Sequence, residues 1–309
     1  MKAQRSFRLS RPVKSLSLGF VAVVCFFFTN GCTYADTIYV SIRGDNTIEE
    51  FDSNGNGTVF ASLGLNSPAG LAFDSSGNLY VANRGNNTIE KLDSNGNGTV
   101  FASSGLNDPV GLAFDSSGNL YAANNGNNTI EKFDSNGNGT VFANSGLNRP
   151  SGLTFDSSGN LYVANYGAPD INKFNSSGQG LVFSNLGLNG PIGLAFDSNG
   201  SLYVANTGDS TIEKFNSSGQ GSTFATLGDV LARTEPIGLA FDSGGKLYVA
   251  NQHTGTIEKL DSNGNGSVFA SGLSTPYFIA VQVPEPTSLL LLALGAVALL
   301  GGCRMRRRS

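Results

Sequence analysis

Residues 68–107 have the sequence PAGLAFDSSGNLYVANRGNNTIEKLDSNGNGTVFASSGLN. This sequence recurs further along the chain, first almost letter for letter and then with more substitutions. Successive copies begin 41, 41, 41, 45 and 40 residues apart. The chain is therefore built from a repeating unit of about forty residues. The prolines that open the copies are Pro68, Pro109, Pro150, Pro191, Pro236 and Pro276.

Each copy contains four short runs in which apolar residues alternate with small or polar ones. In the second copy these runs are residues 111–114, 120–124, 129–133 and 140–143. The sequence DSSGN separates the first two runs and DSNGNG separates the last two. Such residues favour hairpin turns, because they accept positive φ or bond to their own backbone. Each copy therefore predicts four antiparallel strands and an all-β protein.

A unit of four strands with a period near forty is typical of a β-propeller blade. Residues 37–66 match the last three strands of a unit, and residues 276–282 match the missing first strand. Five complete units and this split one predict a six-bladed β-propeller over residues 36–283. Its ring is closed by pairing of the N- and C-terminal strands, which leaves no open sheet edge at the seam.

The first 35 residues have the pattern of a secretory signal peptide. Basic residues up to Lys14 precede an apolar run at residues 16–28, and a cleavage sequence follows that ends at Ala35. A retained membrane anchor is the alternative, but the run is shorter than the ~20 residues that a span needs. Lipid attachment at Cys32 is a further alternative, although the usual leucine three residues earlier is absent.

Charge is distributed unevenly along the chain. The whole sequence has a formal net charge of −4, but residues 36–283 contain ten Lys/Arg and 22 Asp/Glu, a net charge of −12. Binding to nucleic acid or to anionic lipid depends on basic surface that neutralises phosphate. We therefore expect no nucleic-acid partner.

Residues 283–309 contain three parts in order. These are the motif Val283, Pro284, Glu285 and Pro286, an apolar run at 289–302, and a terminal cluster of arginines. The tail resembles the PEP-CTERM sorting signal of Gram-negative bacteria, which an exosortase is thought to recognise and cleave, often in species that make exopolysaccharide. The resemblance implies an exported protein at the cell surface or outside the cell. Residues 284–309 would insert transiently into the inner membrane as an apolar helix. An ordinary single-span anchor is the alternative.

The repeats resemble the NHL-type propeller family, with some likeness to YVTN and gluconolactonase-like propellers. The likeness lies in the PAGLAFD opening at 68–74, the GNLYVAN segment at 77–83 and the GNNTI segment at 85–89. An asparagine stands where the NHL pattern often has aspartate. Relatives include RNA- and peptide-binding proteins as well as lyases and lactonases, and fold alone does not choose among them. The asparagines are Asn83, Asn124, Asn165, Asn206 and Asn251.

Residues suited to catalysis are scarce. His253 is the only histidine, so neither a histidine-rich zinc site nor a histidine-based lyase centre can be built. The turns that begin at Asp52, Asp93, Asp134 and Asp261 match the first half of a calcium loop but lack its final acidic ligand. At most, weak binding of calcium or another divalent cation is expected, with no cofactor and no catalytic residue. A metal-dependent enzyme similar to gluconolactonase or streptogramin lyase is the alternative function.

The most informative variation lies in two positions of each copy. One lies in the loop between the second and third strands, and the other directly precedes the blade proline. Residues that vary among near-identical repeats are not dictated by the scaffold and are free for recognition, although neutral drift of exposed loops is the alternative. We therefore expect a non-catalytic binding or matrix module for a glycan, such as an exopolysaccharide, or for a surface protein. Its predicted binding residues are Arg43, Arg84, Arg149, Tyr166 and Tyr277.

Overall fold

The computed structural model describes residues 36–228 and 233–283. These residues form 24 strands and one short 3-10 helix, Thr207–Asp209. The strands make six sheets of four antiparallel strands each, and the six sheets are the blades of a propeller. The all-β class, the six blades and the strand content per blade are thus confirmed. The predicted signal peptide and residues 284–309 lie outside the described residues.

Every blade has four strands, which follow one another from the propeller axis outward. The innermost strands are β4 (Pro68–Phe73), β8 (Pro109–Phe114), β12 (Pro150–Phe155), β16 (Pro191–Phe196), β20 (Pro236–Phe241) and β24 (Pro276–Gln282). The second strands are β1 (Thr37–Ile42), β5 (Leu79–Asn83), β9 (Leu120–Asn124), β13 (Leu161–Asn165), β17 (Leu202–Asn206) and β21 (Leu247–Asn251). The third strands are β2 (Thr47–Phe51), β6 (Thr88–Leu92), β10 (Thr129–Phe133), β14 (Asp170–Phe174), β18 (Thr211–Phe215) and β22 (Thr256–Leu260). The outermost strands are β3 (Gly57–Ala61), β7 (Gly98–Ala102), β11 (Gly139–Ala143), β15 (Gly180–Ser184), β19 (Gly221–Thr226) and β23 (Gly266–Ser271).

The seam of the ring lies in the blade that both chain ends build. Strand β1 pairs antiparallel with β24, with Thr37 opposite Gln282 and Val40 opposite Ile279. The buried Ser41 hydroxyl donates to the carbonyl of Ala69 at 2.8 Å and accepts from the amide of Phe278 at 2.9 Å. The expected closure is therefore confirmed, and Ser41 links the two chain ends to the next blade.

The hydrophobic core lies between neighbouring blades. Tyr80 on β5, for example, packs edge-on against Phe101 of its own blade and against Phe114 of the next, with ring centroids 4.9 and 5.0 Å apart. Lys91 lies over the Tyr80 ring at 5.2 Å and forms an ion pair of 3.4 Å with Asp74. Edge-on aromatic packing adds to the burial of the rings. Because these contacts cross from blade to blade, no blade buries its own core alone.

At the axis the innermost strands approach closely. A Cβ added at Gly111 on β8 would overlap the carbonyl oxygen of Ser151 on β12, so only glycine fits there. Four other innermost strands have a glycine at this position with the same close approach to the next blade. They are Gly70, Gly152, Gly193 and Gly238.

A buried asparagine ends the second strand of five blades. The Asn124 oxygen accepts from the amide of Asn107 at 3.1 Å, and its nitrogen donates to the carbonyl of Gly105 at 2.8 Å. The nitrogen also donates to the Thr129 hydroxyl at 3.1 Å. Gly105 and Asn107 belong to the link that enters the blade. The Asn124 side chain therefore holds this link against the ends of β9 and β10. Asn83, Asn165 and Asn206 bond to their links in the same way.

The seam blade has no such asparagine. Ile42 occupies the equivalent position and is fully buried. The neighbouring Thr47 hydroxyl, whose counterpart Thr88 accepts a bond from Asn83, is buried without a partner within the described part of the chain. The orphaned hydroxyl therefore follows from the replacement of asparagine by isoleucine.

Replacing Asn124 by alanine should destabilise the propeller. The change removes three hydrogen bonds of a buried side chain, and one such bond contributes about 0.5–1.5 kcal/mol. The exposed Asn127 of the same blade only accepts a bond from Thr129, so Asn127→Ala is the matched control and should fall within about 0.5 kcal/mol of the parent. Denaturant unfolding measures both variants. Equal stabilities would contradict the role assigned to the buried amide.

Candidate functional site

The propeller has two different faces. One carries the turns between first and second strands and between third and fourth strands, and we call it the turn face. The other carries the loops between second and third strands and the links that enter each blade, and we call it the mouth face. The turns are nearly uniform in sequence, whereas the loops and links differ between blades.

On the turn face the aspartates serve their own turns. Asp93 accepts from the amides of Asn95 and Asn97 at 2.8 and 2.9 Å, and from the Asn97 side chain at 3.0 Å. These bonds from Asn97 lower the pKa of the Asp93 carboxyl. Both carboxylate oxygens are therefore engaged within the turn itself. Among the described residues, no group of three or more His, Cys, Asp or Glu side chains is placed to hold a metal ion.

The mouth face carries a cavity of about 520 Å³. Its floor is formed by apolar side chains of innermost strands, among them Val110, Ile192 and Ile237. The residues at the variable loop position of all six blades line it: Arg43, Arg84, Asn125, Tyr166, Thr207 and Gln252. Arg149 and Tyr277 complete the predicted set. The structure thus brings all five predicted binding residues to one cavity.

The link residues before the blade prolines have left-handed backbone conformations. The φ angles of Asp108, Arg149 and Glu235 are 51°, 50° and 52°. Only one of the six positions is glycine, namely Gly190, although this conformation costs other residues about 1–2 kcal/mol. Five blades therefore keep a side chain at a strained position. Strain of this kind is typical of functional sites.

Loop and link are bonded to each other in most blades. The Tyr166 amide donates to the carbonyl of Arg149 at 3.1 Å, and the Asn125 amide donates to that of Asp108 at 3.1 Å. The Arg149 amide in turn donates to the Asn128 side chain at 2.6 Å. The two variable positions of a blade are thus held side by side by main-chain bonds, which leave their side chains free to vary.

Tyrosine rings hold two of the arginines. The Arg43 guanidinium lies 5.3 Å from the centroid of the Tyr277 ring, and that of Arg149 lies 4.9 Å from the Tyr166 ring. Tyr166 is 40% exposed, whereas Tyr277 is buried. Cation–π contacts of this kind orient the guanidinium while its N–H groups stay free to donate.

Arg84 is held by an acid. Its Nε and Nη2 donate to the two oxygens of Asp108 at 2.6 and 2.5 Å, and its Nη1 donates to the Tyr277 hydroxyl at 3.4 Å. Burial acts to lower the pKa of Arg84, but the bonds to Asp108 and Tyr277 raise it overall. Arg84 therefore joins the link before the next blade to the tyrosine at the seam.

The asparagines that differ from the NHL pattern do not reach the cavity. Asn83 and Asn124 are fully buried and bonded to their links, so these amides act as structural groups. His253 does not line the cavity either. Its amide donates to the carbonyl of Thr234 at 3.2 Å.

Two charged residues of the cavity are not among the five predicted binding residues, although one of them, Glu235, directly precedes a blade proline and so occupies a variable position. Arg233 and Glu235 lie on the link that enters the fifth complete copy, where the spacing lengthens to 45 residues. The insertion itself was the available signal, because extra residues in one link of an otherwise regular repeat add side chains to the same face.

Family models identify two parts of the chain. The model of the NHL repeat matches residues 65–92, 106–133 and 188–215, and that of the PEP-CTERM protein-sorting motif matches residues 282–308. The chain carries NHL repeats and a PEP-CTERM sorting motif. Both resemblances expected from the sequence are confirmed. No curated protein matches the chain in sequence.

Solved structures similar to this NHL-repeat propeller include binding proteins and enzymes. The nidogen/laminin complex contains a chain with a TM-score of 0.71 and 21% identity, over 80% of this chain and 98% of that one. Virginiamycin B lyase from Staphylococcus aureus has a TM-score of 0.63 and 17% identity, over 79% and 84%. A streptogramin B lyase has a TM-score of 0.57 and 17% identity, over 78% and 75%. At these identities the likeness concerns the fold alone.

The sorting motif begins where the propeller ends. Val283 follows β24, whereas Pro284, Glu285, Pro286 and the apolar run at 289–302 lie outside the described residues. Within the described residues no helix is long and apolar enough to cross a membrane. The motif implies export to the cell envelope or surface.

Replacing Arg149 by glycine should give a more stable protein than replacing it by alanine. Both variants remove the guanidinium, but only glycine accepts a φ of 50° without steric cost. The difference expected is about 1 kcal/mol in the free energy of unfolding. Thermal or denaturant unfolding of the two variants measures it. If the alanine variant is the more stable one, the link does not have the left-handed conformation.

Proposed function

We propose that the protein is an exported, surface-displayed binding module that takes its ligand, a glycan or a protein partner, at the cavity of the mouth face. The observation that carries the proposal is the coincidence of three properties. The positions at which the repeats vary line one cavity, their backbone is fixed, and most links keep a side chain at a strained position. Neutral drift would not favour strained side chains over glycine.

The chain end supports display of this face. Strand β24 runs from Pro276, in the seam blade next to the loop that bears Arg43, to Gln282, which lies beside Gly77 of a turn. The sorting motif therefore leaves the propeller on the turn face. A protein held by that tail would direct its turn face toward the membrane and its cavity away from it.

Binding should depend on the mouth face and not on the turn face. We expect that alanine at Arg43, Arg84, Arg149, Tyr166 and Tyr277 abolishes binding to a glycan array or an extracellular-protein array. Because Tyr277 and Arg84 are also packed, the double variant of Arg43 and Arg149 is measured beside the fivefold one. Loss of single hydrogen bonds to a charged group costs about 1.5–3 kcal/mol, so the double variant should bind at least about tenfold more weakly.

The control is a variant with three changes on the turn face. Asn54, Asn95 and Asn136 are exposed, and alanine at these positions leaves the turn aspartates in place. This variant should bind like the parent. If binding survives the mouth-face changes but is lost in the turn-face variant, the functional site lies on the turn face and the proposal is wrong.

The tail should be removed after export. We propose that an exosortase-type enzyme recognises the motif at Val283, Pro284, Glu285 and Pro286, and that the apolar run anchors the protein only transiently. Mass spectrometry of the mature protein, isolated from the cell surface or the medium, should find no residues 304–309. If every molecule retains them, a permanent anchor replaces this proposal, while the function of the cavity is unaffected.

A further inference from the structure

Arginine and lysine occupy different parts of the propeller. The four arginines of residues 36–283 are Arg43, Arg84, Arg149 and Arg233, and all four line the mouth cavity. Five of the six lysines form ion pairs with aspartates of the turn face, from Lys91 with Asp74 to Lys259 with Asp242. The sixth, Lys246, lies within a turn of that face. The propeller as a whole carries a net charge of −12, so the arginines collect against its overall charge.

The acids near the cavity do not neutralise this cluster. Asp108 is engaged by Arg84. Glu235 is the one acidic residue among the described side chains that line the cavity. The other described acids of this face are Asp45, Asp170 and Asp209, and none of them forms an ion pair within the described residues. Asp170 accepts a hydrogen bond from Asn165, and Asp209 accepts one from Asn189. Within the described residues, Arg43 and Arg149 form no ion pair.

Each of the two cavity tyrosines has an arginine on its ring. A guanidinium covers one face of the Tyr277 ring and one of the Tyr166 ring, so these faces are closed to stacking by a ligand. The mouth cavity instead presents guanidinium groups whose N–H donors are held in fixed directions. Guanidinium forks match carboxylate groups with two parallel hydrogen bonds.

We propose that the cavity binds a carboxylated saccharide, with the arginines on its carboxylate groups and the apolar floor against the C–H face of a sugar ring. This inference rests on the proposed function and names the ligand class for the same cavity. A concave site of about 520 Å³ suits one or a few sugar rings, since pockets for small ligands occupy about 300–1,000 Å³. A stable protein partner would instead need an interface of about 800 Å² on each partner, so the concave site suits a small ligand better than a protein.

The test is a titration of the secreted protein with three matched probes. These are trigalacturonate, its fully methyl-esterified form, and a triglutamate peptide. Trigalacturonate should bind, the neutral ester should bind at least about tenfold more weakly, and rising salt should weaken the binding of the acid. Arg43→Ala and Arg149→Ala should each weaken it about tenfold. Lys246→Ala removes a cation from the turn face and should have no effect.

Each other outcome decides against the proposal. Equal binding of acid and ester, or no binding of any probe, overturns a carboxylated saccharide as ligand. Tighter binding of triglutamate assigns the arginines to an acidic peptide instead. These failures leave the binding module itself standing as long as an array ligand is lost on the mouth-face changes. If the array ligand binds equally well to the parent and to the mouth-face variants, the proposed function is overturned as well.

Discussion

The buried amide at the end of the second strand fixes the link that enters the blade in four of the six blades. Asn124 fixes the carbonyl of Gly105 and the amide of Asn107, and the next residue, Asp108, is the left-handed link residue of that blade. The carbonyl of Asp108 then accepts the amide of the loop residue Asn125. One asparagine thus sets a link whose backbone holds a loop. Because the amide satisfies both a donor and an acceptor, the backbone stays constant while the rim side chains vary.

The seam blade keeps the main-chain bonds between loop and link although it lacks the buried amide. Ile42 replaces the asparagine, and its loop is held by main-chain bonds from Arg43 to Thr275 and from Gly44 to Ser274. Ser41 adds bonds to Ala69 and Phe278 that an alanine could not make. The ring therefore closes through contacts in which residues far apart in sequence meet. Closing so long a loop costs entropy, which the contacts at the seam must offset.

The sequence was sufficient to predict the repeat, the blade count, the closure and the face that varies, because each of these follows from period and alignment. The burial of Asn83 and its partners could not be predicted in this way. An asparagine that recurs at the end of the second strand could bind a metal ion or could hold the link by hydrogen bonds. The sequence does not distinguish these two roles, whereas the structure shows the hydrogen bonds to the link. The strain of the links could not be predicted either, since Arg149 and Glu235 are not residue types that favour positive φ. The charge of Arg233 reaches the cavity through an insertion that has no counterpart in the other copies.

The lysines of the turn face and the arginines of the mouth face differ in how their charge is balanced. Lys91 and its counterparts rest on a tyrosine and pair with a turn aspartate, so their charge is neutralised within the repeat. Arg149 also rests on a tyrosine, yet no described acid pairs with it. The same aromatic contact therefore stabilises a closed ion pair on one face and orients an open guanidinium on the other. Because an unpaired cation in an acidic protein gains most from an incoming anion, this difference between the faces supports the proposal that the ligand binds at the mouth face.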